Sequence, residues 1–361
     1  MKGHKPDKGL IIIIFSLLIL GLVILWSASL IISQESRGNA YYYFFHQLIY
    51  GGGVGLIAFL IFQKINYKTW KKFALIIFFA ALLLLVLVFI PGLGYSHAGA
   101  QRWIAVKDIS FQPSEFLKLA FVIYLAAFFS KKEIHFNSLI PFLGIMAVVG
   151  VLLGLQSDAG TLALLAILGF IIYFLSGAKF YQLAIVVFCY LAAFFALIKF
   201  FPHRMARFIT FFNPSIDPQG ISYQINQALL AIGSGGLFGV GLGYYGGQKY
   251  NFLPEPMGDS IFAIAAEEIG FIGGLILIIL FLLLAFKGLK IARKVSNDFG
   301  KLLAIGITCW LVIQALINMT AITGLIPLTG ITLPFVSYGG SALIVAMAGA
   351  GILVNISKHT R

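Results

Sequence analysis

The feature that most constrains this chain is a series of long apolar runs with almost no charge. Residues 10–32, 73–91, 183–201 and 260–286 each approach or exceed the roughly 20 apolar residues that a helix needs to cross the hydrocarbon core. In lipid only helices and closed barrels satisfy every backbone polar group, and runs without alternation are helical. Only 10% of the residues are charged, so the chain lacks the polar surface of a soluble domain. The sequence therefore predicts an integral membrane protein.

The hydropathy pattern predicts an all-α polytopic bundle of about ten transmembrane helices, forming a single domain over residues 1–361. The predicted spans are 10–32, 44–63, 73–91, 114–130, 138–155, 159–176, 181–201, 259–286, 302–322 and 338–357. The first span is longer than the core of a signal peptide, so we expect it to be retained. Two predicted extracytoplasmic segments, 92–113 and 202–258, are too long for turns. The second lies between spans seven and eight, and we expect it to fold back onto the membrane face.

Basic residues are distributed unevenly among the predicted connections. With the N-terminus in the cytoplasm, most of the 25 lysines and arginines fall in cytoplasmic segments, as the positive-inside rule requires. Both termini are then cytoplasmic and the number of crossings is even. The net charge of +13 is explained by this orientation and by contact with anionic membrane lipids. We therefore expect no nucleic-acid partner.

A few ionisable residues lie at predicted membrane depth, where charge is costly and often functional. Glu115 and Lys118 share one face at the start of the fourth span, either as a neutralising ion pair or as functional groups. Asp158 and Asp259 each open a span. Aspartate is a favourable N-cap, so a capping role is the alternative to a functional one at both positions.

Two adjacent glutamates lie deeper in the eighth predicted span. Helical geometry places Glu267 on roughly the same side as Asp259 and Glu268 on the opposite side, and the sequence identifies no partner for either. The glycine-rich run 233–243 precedes this span and indicates close packing or a tight re-entrant turn. The scattered histidines and the isolated Cys189 and Cys309 do not have metal-ligand spacing.

Four motifs occur in a fixed order along the chain. They are Gly99-Ala-Gln-Arg-Trp-Ile104 with Phe111-Gln-Pro-Ser-Glu-Phe-Leu-Lys-Leu-Ala120; Gln156-Ser-Asp-Ala-Gly-Thr161; Tyr223-Gln-Ile-Asn-Gln through Gly239, continuing into Phe252-Leu-Pro-Glu-Pro-Met-Gly-Asp-Ser through Glu268; and Pro327-Leu-Thr-Gly-Ile-Thr-Leu-Pro-Phe-Val-Ser-Tyr-Gly-Gly-Ser341. Together they resemble the SEDS family (shape, elongation, division and sporulation), which includes FtsW and RodA. The resemblance covers essentially the whole chain. The departures are Ser157, Met257, Gly258, Ser260 and the pair Lys107-Asp108, whereas the acidic and basic motif positions are kept.

The resemblance implies a peptidoglycan glycosyltransferase that polymerises lipid II at the outer face of the bacterial cytoplasmic membrane. The family's catalytic aspartate corresponds to Asp259. Its polar cavity residues correspond to Glu115, Lys118 and Asp158. The motif beside them adds two further substrate-binding candidates, Arg102 and Gln112.

The resemblance also implies partners. A class B penicillin-binding protein would supply cross-linking, alongside other proteins of the division or elongation machinery. Gly247-Gln-Lys249 and Thr332 favour the division branch, although septal and elongation roles both remain open. Two other functions use the same features: a flippase for the lipid-linked precursor, and a non-catalytic scaffold for the transpeptidase.

The expected reaction is a single displacement in which Asp259 acts as general base on the attacking sugar hydroxyl. The diphosphate leaving group requires neutralising charge. Lys118, Arg102, Arg204 or Arg207 would supply it, or else a divalent cation such as Mg²⁺ or Mn²⁺. No organic cofactor is expected.

Overall fold

The computed structural model describes residues 5–97, 100–106, 109–130, 138–200, 205, 209–213, 220, 222–243 and 253–360. Its helices are α1 (Lys8–Arg37), α2 (Tyr42–Phe62, with a π-helical stretch at Gln47–Gly53), α3 (Tyr67–Leu87), α4 (Pro113–Phe129), α5 (Leu139–Leu155), α6 (Ala159–Leu175), α7 (Phe180–Phe200), α8 (Tyr223–Ser234), α9 (Ile261–Lys294), α10 (Asp298–Ile322) and α11 (Gly340–Ser357). A helix therefore lies within each predicted span.

Within the described part of the chain, six helices are long and apolar enough to cross a membrane: α1, α2, α3, the Gly270–Lys294 part of α9, α10 and α11. The helices α5, α6 and α7 contribute shorter apolar stretches. The chain is thus a multi-pass membrane protein with a mostly helical fold. The number of ten crossings stays a prediction.

Three helices, α4, α10 and α11, are almost wholly buried and form the centre of the bundle. Small residues allow their close approach, as is usual between helices in lipid. A Cβ at Gly306 of α10 would lie 2.5 Å from Val122 of α4, and one at Gly349 of α11 would lie 2.9 Å from Trp310 of α10. The outer helices α1, α2, α3, α5 and α7 carry many exposed large apolar side chains, as expected of surfaces that face lipid.

The predicted loop 92–113 contains a small antiparallel sheet, which corrects the all-α expectation. Its strands are β1 (Gly94–His97), β2 (Ala100–Val106) and β3 (Ile109–Phe111), in the order β1-β2-β3. Ile104 of β2 pairs with Gly94 on one side and with Phe111 on the other. These short strands use β-branched and aromatic residues, but they are too short for alternation to distinguish them from a loop.

The predicted eighth span, 259–286, is wrong at its beginning because α9 is two helices joined at a break. Gly270 has φ 75° and ψ −171°, so residues 261–269 form a short helix, and the membrane-length helix begins at Gly270. The glycine-rich segment after α8 packs against this break. A Cβ on Gly239 would lie 2.1 Å from the carbonyl oxygen of Glu268, so a side chain at this position would overlap with α9. The glycines therefore permit the close packing that the sequence indicated.

Backbone hydrogen bonds join the glycine-rich segment to both halves of α9. The N–H groups of Val240 and Gly241 donate to the carbonyls of Glu267 and Glu268, each at 3.0 Å. In the opposite direction, the N–H groups of Phe271 and Ile272 donate to the carbonyls of Gly236 and Leu237 at 2.9 and 3.2 Å. A broken helix is tolerated in a membrane protein only where other groups satisfy the freed backbone, and this segment satisfies it.

Contacts between helix ends define two opposite faces of the bundle. On the first, which we call the terminal face, the Asp7 N–H donates to the Ser357 hydroxyl at 3.1 Å, and the Tyr67 N–H donates to Asn355 Oδ1 at 2.9 Å. Both chain ends and the α2–α3 connection therefore lie together. The other face, which we call the site face, carries the sheet and the beginning of α11. The 18 residues of α11 separate the two faces by about 27 Å.

Candidate functional site

Asp259 lies on the site face, in a compact turn formed by residues 253–260 that leads into α9. The Ser260 N–H donates to the Glu255 carbonyl at 3.2 Å, and the Ser260 hydroxyl donates to the Pro254 carbonyl at 2.8 Å. Ser337 adds a tie by donating to the Gly258 carbonyl at 2.7 Å. The half-buried Asp259 is therefore presented by a turn whose backbone is fixed on both sides.

Two amide side chains hold Asp259 itself. Gln224 of α8 donates through Nε2 to Asp259 Oδ1 at 3.1 Å and to the Ser260 hydroxyl at 3.0 Å. Asn318 of α10 donates through Nδ2 to the Asp259 carbonyl at 2.7 Å. The position of a Cβ on Gly330 would be 4.0 Å from Asp259 Oδ2, so that oxygen lies beside a residue without a side chain. Gln224 thus fixes one oxygen of the Asp259 carboxylate, and the other oxygen lies near the backbone of Gly330.

The N-cap position of α9 falls on Ser260, whereas the capping interpretation placed it on Asp259. The Ser260 side chain forms no capping hydrogen bond with that helix. The turn places Asp259 one residue before the cap, where its Oδ1 accepts from Gln224 on a different helix. This arrangement favours a role outside helix stability.

The predicted Glu115–Lys118 ion pair is confirmed and is deeply buried at the beginning of α4. The two charged atoms are 2.7 Å apart, and the side chains are 6% and 1% exposed. Lys118 Nζ also donates to Gln314 Oε1 of α10 at 2.8 Å, and Trp310 Nε1 donates to the same oxygen at 2.8 Å. A buried ion pair needs such additional hydrogen bonds to offset its desolvation.

A polar network connects this ion pair to Asp259 through α10. Gln314 and Asn318 are four residues apart, so they lie on one face of the helix. Gln314 Nε2 donates to the Thr332 carbonyl at 2.9 Å, and Asn318 Nδ2 donates to the Ile331 carbonyl at 2.8 Å. The Glu115–Lys118 pair is therefore linked through Gln314 to Thr332, and the Asp259 turn is linked through Asn318 to the adjacent Ile331.

Asp158 is the N-cap of α6, as one of the two interpretations expected. Its Oδ1 accepts from the Thr161 N–H at 3.1 Å. The residue is buried, and among the described residues no hydrogen-bond donor reaches its second oxygen, Oδ2. A Cβ on the neighbouring Gly160 would lie 2.5 Å from the Thr329 carbonyl oxygen. The beginning of α6 therefore packs against the same connection that borders Asp259.

Arg102 and Gln112 lie beside this cluster. The Arg102 guanidinium projects from β2 and donates to the carbonyls of Gln156 and Ser157, the two residues that precede Asp158. It thereby caps the end of α5 and is half-buried. Gln112 is the N-cap position of α4, and its backbone N–H donates to the Ser341 hydroxyl of α11 at 3.4 Å.

The two glutamates at the α9 break face different elements, as expected from their positions. The Ser234 hydroxyl of α8 donates to Glu267 at 3.2 Å, so Glu267 and Asp259 both face α8. The Ser27 hydroxyl of α1 donates to Glu268 at 2.5 Å and accepts from the Gly243 N–H at 2.8 Å. Glu268 thus fastens the end of the glycine-rich segment to α1.

Three residues that sequence reasoning missed organise the site: Gln224, Gln314 and Asn318. Gln314 and Asn318 are amides inside an otherwise apolar span, where polar side chains indicate a structural or functional demand. That pattern could have identified them. Gln224 lies in a recognised motif but has no distinguishing feature of its own. The predicted Arg204, Arg207 and Lys249 positions lie outside the described residues.

The described part of the site contains no cluster of three or more side chains that would hold a metal ion without other ligands. No three histidine, cysteine, aspartate or glutamate side chains converge there at ligand distance. Lys118 and Gln314 engage the Glu115 end of the network, and Thr161 engages Asp158. The divalent cation expected from the sequence stays a prediction.

Comparisons with known proteins agree with this fold over nearly the whole chain. Residues 8–361 match the model of the FtsW, RodA and SpoVE family, described as cell cycle protein. Stage V sporulation protein E of Bacillus subtilis is 39% identical over 364 residues, covering 100% of this chain and 99% of that protein. A protein of Trichlorobacter lovleyi named probable peptidoglycan glycosyltransferase FtsW is 38% identical over 355 residues, covering 97% and 93%.

Solved structures with the same fold come from proteins of this group. The crystal structure of the rod shape determining protein RodA of Thermus thermophilus matches with a TM-score of 0.71 and 28% identity, covering 98% of this chain and 96% of that chain. A chain from a structure titled for the coordination of polymerization and crosslinking by a peptidoglycan synthase complex matches with a TM-score of 0.81 and 25% identity. It covers 98% of this chain and 97% of that one.

Proposed function

Because this chain belongs to the FtsW/RodA/SpoVE family, we propose that it is a peptidoglycan glycosyltransferase that polymerises lipid II. The observation that carries the proposal is the fixation of Asp259. Its turn, its backbone carbonyl and one carboxylate oxygen are each held by a different element, as a catalytic group requires. A helix cap or a surface aspartate needs no such support.

Asp259 acts as the general base in this proposal. It takes the proton from the 4-hydroxyl of the acceptor's N-acetylglucosamine as that oxygen attacks C1 of the donor's N-acetylmuramic acid. The bond from C1 to the lipid diphosphate breaks, and the diphosphate leaves as an anion. A single displacement without a covalent intermediate inverts the configuration at C1, so an α-linked donor yields a β-linked strand. Positioned bases of this kind contribute about 10²–10⁴-fold to the rate.

The other candidates take different parts. Glu115 already neutralises the buried Lys118, so this pair orders Gln314 and the α10–α11 connection rather than the leaving group. Arg102 lies at the half-buried rim beside Asp158 and is the described candidate that a diphosphate can approach. The buried Asp158 Oδ2 is an acceptor for a sugar hydroxyl or amide of the bound substrate.

We assign the site face to the outside of the cytoplasmic membrane and both termini to the cytoplasm. The shared location of both chain ends supports an even number of crossings. Identities of 35–38% to relatives named FtsW, against 28% to RodA, favour septal synthesis over elongation. The synthase-complex match supports a class B penicillin-binding protein as partner.

The activity is tested by placing the purified chain and its candidate transpeptidase in vesicles that contain lipid II. We expect polymer from the wild-type protein and no movement of lipid II between leaflets. Lipid II crossing the bilayer without polymer would identify a flippase and overturn the proposal. Neither product, with transpeptidase binding intact, would identify a scaffold.

A further inference from the structure

A small basic cavity on the terminal face lies about one membrane thickness from Asp259. It has a volume of about 160 Å³ and is lined by Lys5 and Asp7 before α1, by Lys290, Ile291 and Lys294 in the last turns of α9, and by Ser357 and Thr360 at the chain's end. Three separate segments therefore converge on it. The proposed glycosyl transfer uses none of these residues.

The charges around the cavity do not cancel. Among the residues that line the cavity, Asp7 is the acidic one, and its carboxylate already has partners. Asp7 Oδ1 accepts from the Leu10 N–H at 2.9 Å and pairs with Lys287 Nζ at 3.4 Å. Burial raises the pKa of the Asp7 carboxyl, but this hydrogen bond and the Lys287 charge outweigh it, so the pKa lies below its ordinary value. Asp7 is thus ionised and paired with Lys287, while Lys5, Lys290 and Lys294 add three further positive charges.

The position of the cavity relative to the membrane also restricts the kind of ligand that it can bind. It lies where α1, α9 and α11 reach the membrane surface, and the apolar Ile291 forms part of its wall. Its volume equals that of about five water molecules, which suits one phosphate group with its hydration. Basic pockets between transmembrane helices at such a surface bind anionic lipid headgroups.

We propose that this cavity binds the phosphodiester headgroup of an anionic phospholipid, with Lys5, Lys290 and Lys294 as its cationic ligands. The acyl chains extend beside the exposed outer surface of α9, where Phe286 and Leu289 face lipid. The bound headgroup bridges the segment before α1 to the end of α9. This site is independent of the proposed transferase function.

The test measures binding of phosphatidylglycerol and phosphatidylcholine to the full-length protein in detergent by native mass spectrometry. The variant is Lys290→Gln/Lys294→Gln. The matched control is Lys68→Gln/Lys72→Gln, an exposed pair with the same spacing at the beginning of α3 that does not line the cavity. We expect the first variant to lose roughly thirtyfold in phosphatidylglycerol affinity, because it removes two lysines that each attract the anionic headgroup. The control should keep wild-type affinity.

Three results would overturn the inference. The first is unchanged phosphatidylglycerol affinity in the Lys290→Gln/Lys294→Gln variant. The second is an equal loss in the control, which would mean that the whole basic surface and not the cavity attracts the lipid. The third is displacement of phosphatidylglycerol by an equal concentration of inorganic phosphate, which would make free phosphate the ligand. Equal melting temperatures of both variants would establish that the substitutions leave the fold intact.

Discussion

At the scale of single residues, the site depends on amides that orient charged groups. Gln224 and Asn318 hold Asp259, and Gln314 holds Lys118, so these two residues are each fixed by uncharged amide side chains. Charged residues could be identified from the sequence because charge is costly in a membrane. Among their amide partners, Gln314 and Asn318 are conspicuous as polar residues in an apolar span, whereas only the packing of α8 gives Gln224 a role.

Replacing Gln224 should affect catalysis more than substrate binding. The Gln224→Leu variant loses the donor to Asp259 Oδ1, so the base becomes less well oriented, and we expect kcat to fall about tenfold with a smaller change in KM. Gln224→Glu also places a second carboxylate beside Asp259, which raises the pKa of the base. The acidic limb of the pH–rate profile of Gln224→Glu should therefore move to higher pH. Identical pH profiles for Gln224→Glu and the wild-type protein would contradict this role.

The buried ion pair predicts an asymmetry between single and double substitutions. Lys118→Met leaves the buried Glu115 carboxylate without its cation, and we expect a loss of about 3–5 kcal/mol in the free energy of unfolding. Glu115→Gln/Lys118→Met removes both charges, so it should be more stable than Lys118→Met alone. Thermal unfolding in detergent measures both. A double variant less stable than the single one would show that the pair itself, not its neutrality, stabilises the fold.

At the scale of structural elements, the break in α9 joins the glycine-rich segment to the turn that carries Asp259. The short helix 261–269 follows Asp259 directly, and its last carbonyls bond to Val240 and Gly241. Hydropathy could not predict the break, because the two glutamates before it interrupt an otherwise apolar run and a single glycine is compatible with a helix. The glycines at 233–243 did indicate close packing, and the structure explains them.

Substitution of Gly270 tests this arrangement. Gly270→Ala places a Cβ 2.3 Å from the Gly239 backbone nitrogen. The backbone there, with φ 75° and ψ −171°, costs an L-residue about 1–3 kcal/mol in addition to that overlap. We expect this variant to lose activity and melt at a lower temperature. Gly144→Ala on the exposed side of α5, where a Cβ meets nothing within 4 Å, is the control and should melt no lower than the wild-type protein. Wild-type activity in Gly270→Ala would show that the break is dispensable.

At the scale of the whole molecule, the two faces separate the site from both termini. The order of apolar runs predicted the helices well, since each predicted span contains one. It could not predict the sheet over 94–111 or the convergence of Asp158, Asp259 and the ion pair on residues 329–332. Those contacts join segments that are distant in the chain, so no local sequence pattern predicts them.

Cysteine labelling should distinguish the two faces in intact cells. Lys68→Cys lies on the terminal face, and Tyr95→Cys lies on the sheet of the site face, with both positions exposed. A membrane-impermeant thiol reagent should label Tyr95→Cys from outside and label Lys68→Cys only after the cells are opened. The wild-type protein, with half-buried Cys189 and Cys309, gives the background. Labelling of Lys68→Cys from outside would reverse the proposed orientation.

The most direct test of the central claim is lipid II polymerisation by Asp259→Asn, measured beside the wild-type protein with the same transpeptidase. Asp298→Asn is the matched control, because Asp298 is an exposed carboxylate roughly 30 Å along α10 from the residue that holds Asp259. We predict that Asp259→Asn keeps the wild-type melting temperature and loses at least about 10²-fold in rate, while Asp298→Asn polymerises normally. Normal polymerisation by Asp259→Asn would contradict the assignment of Asp259 as the base.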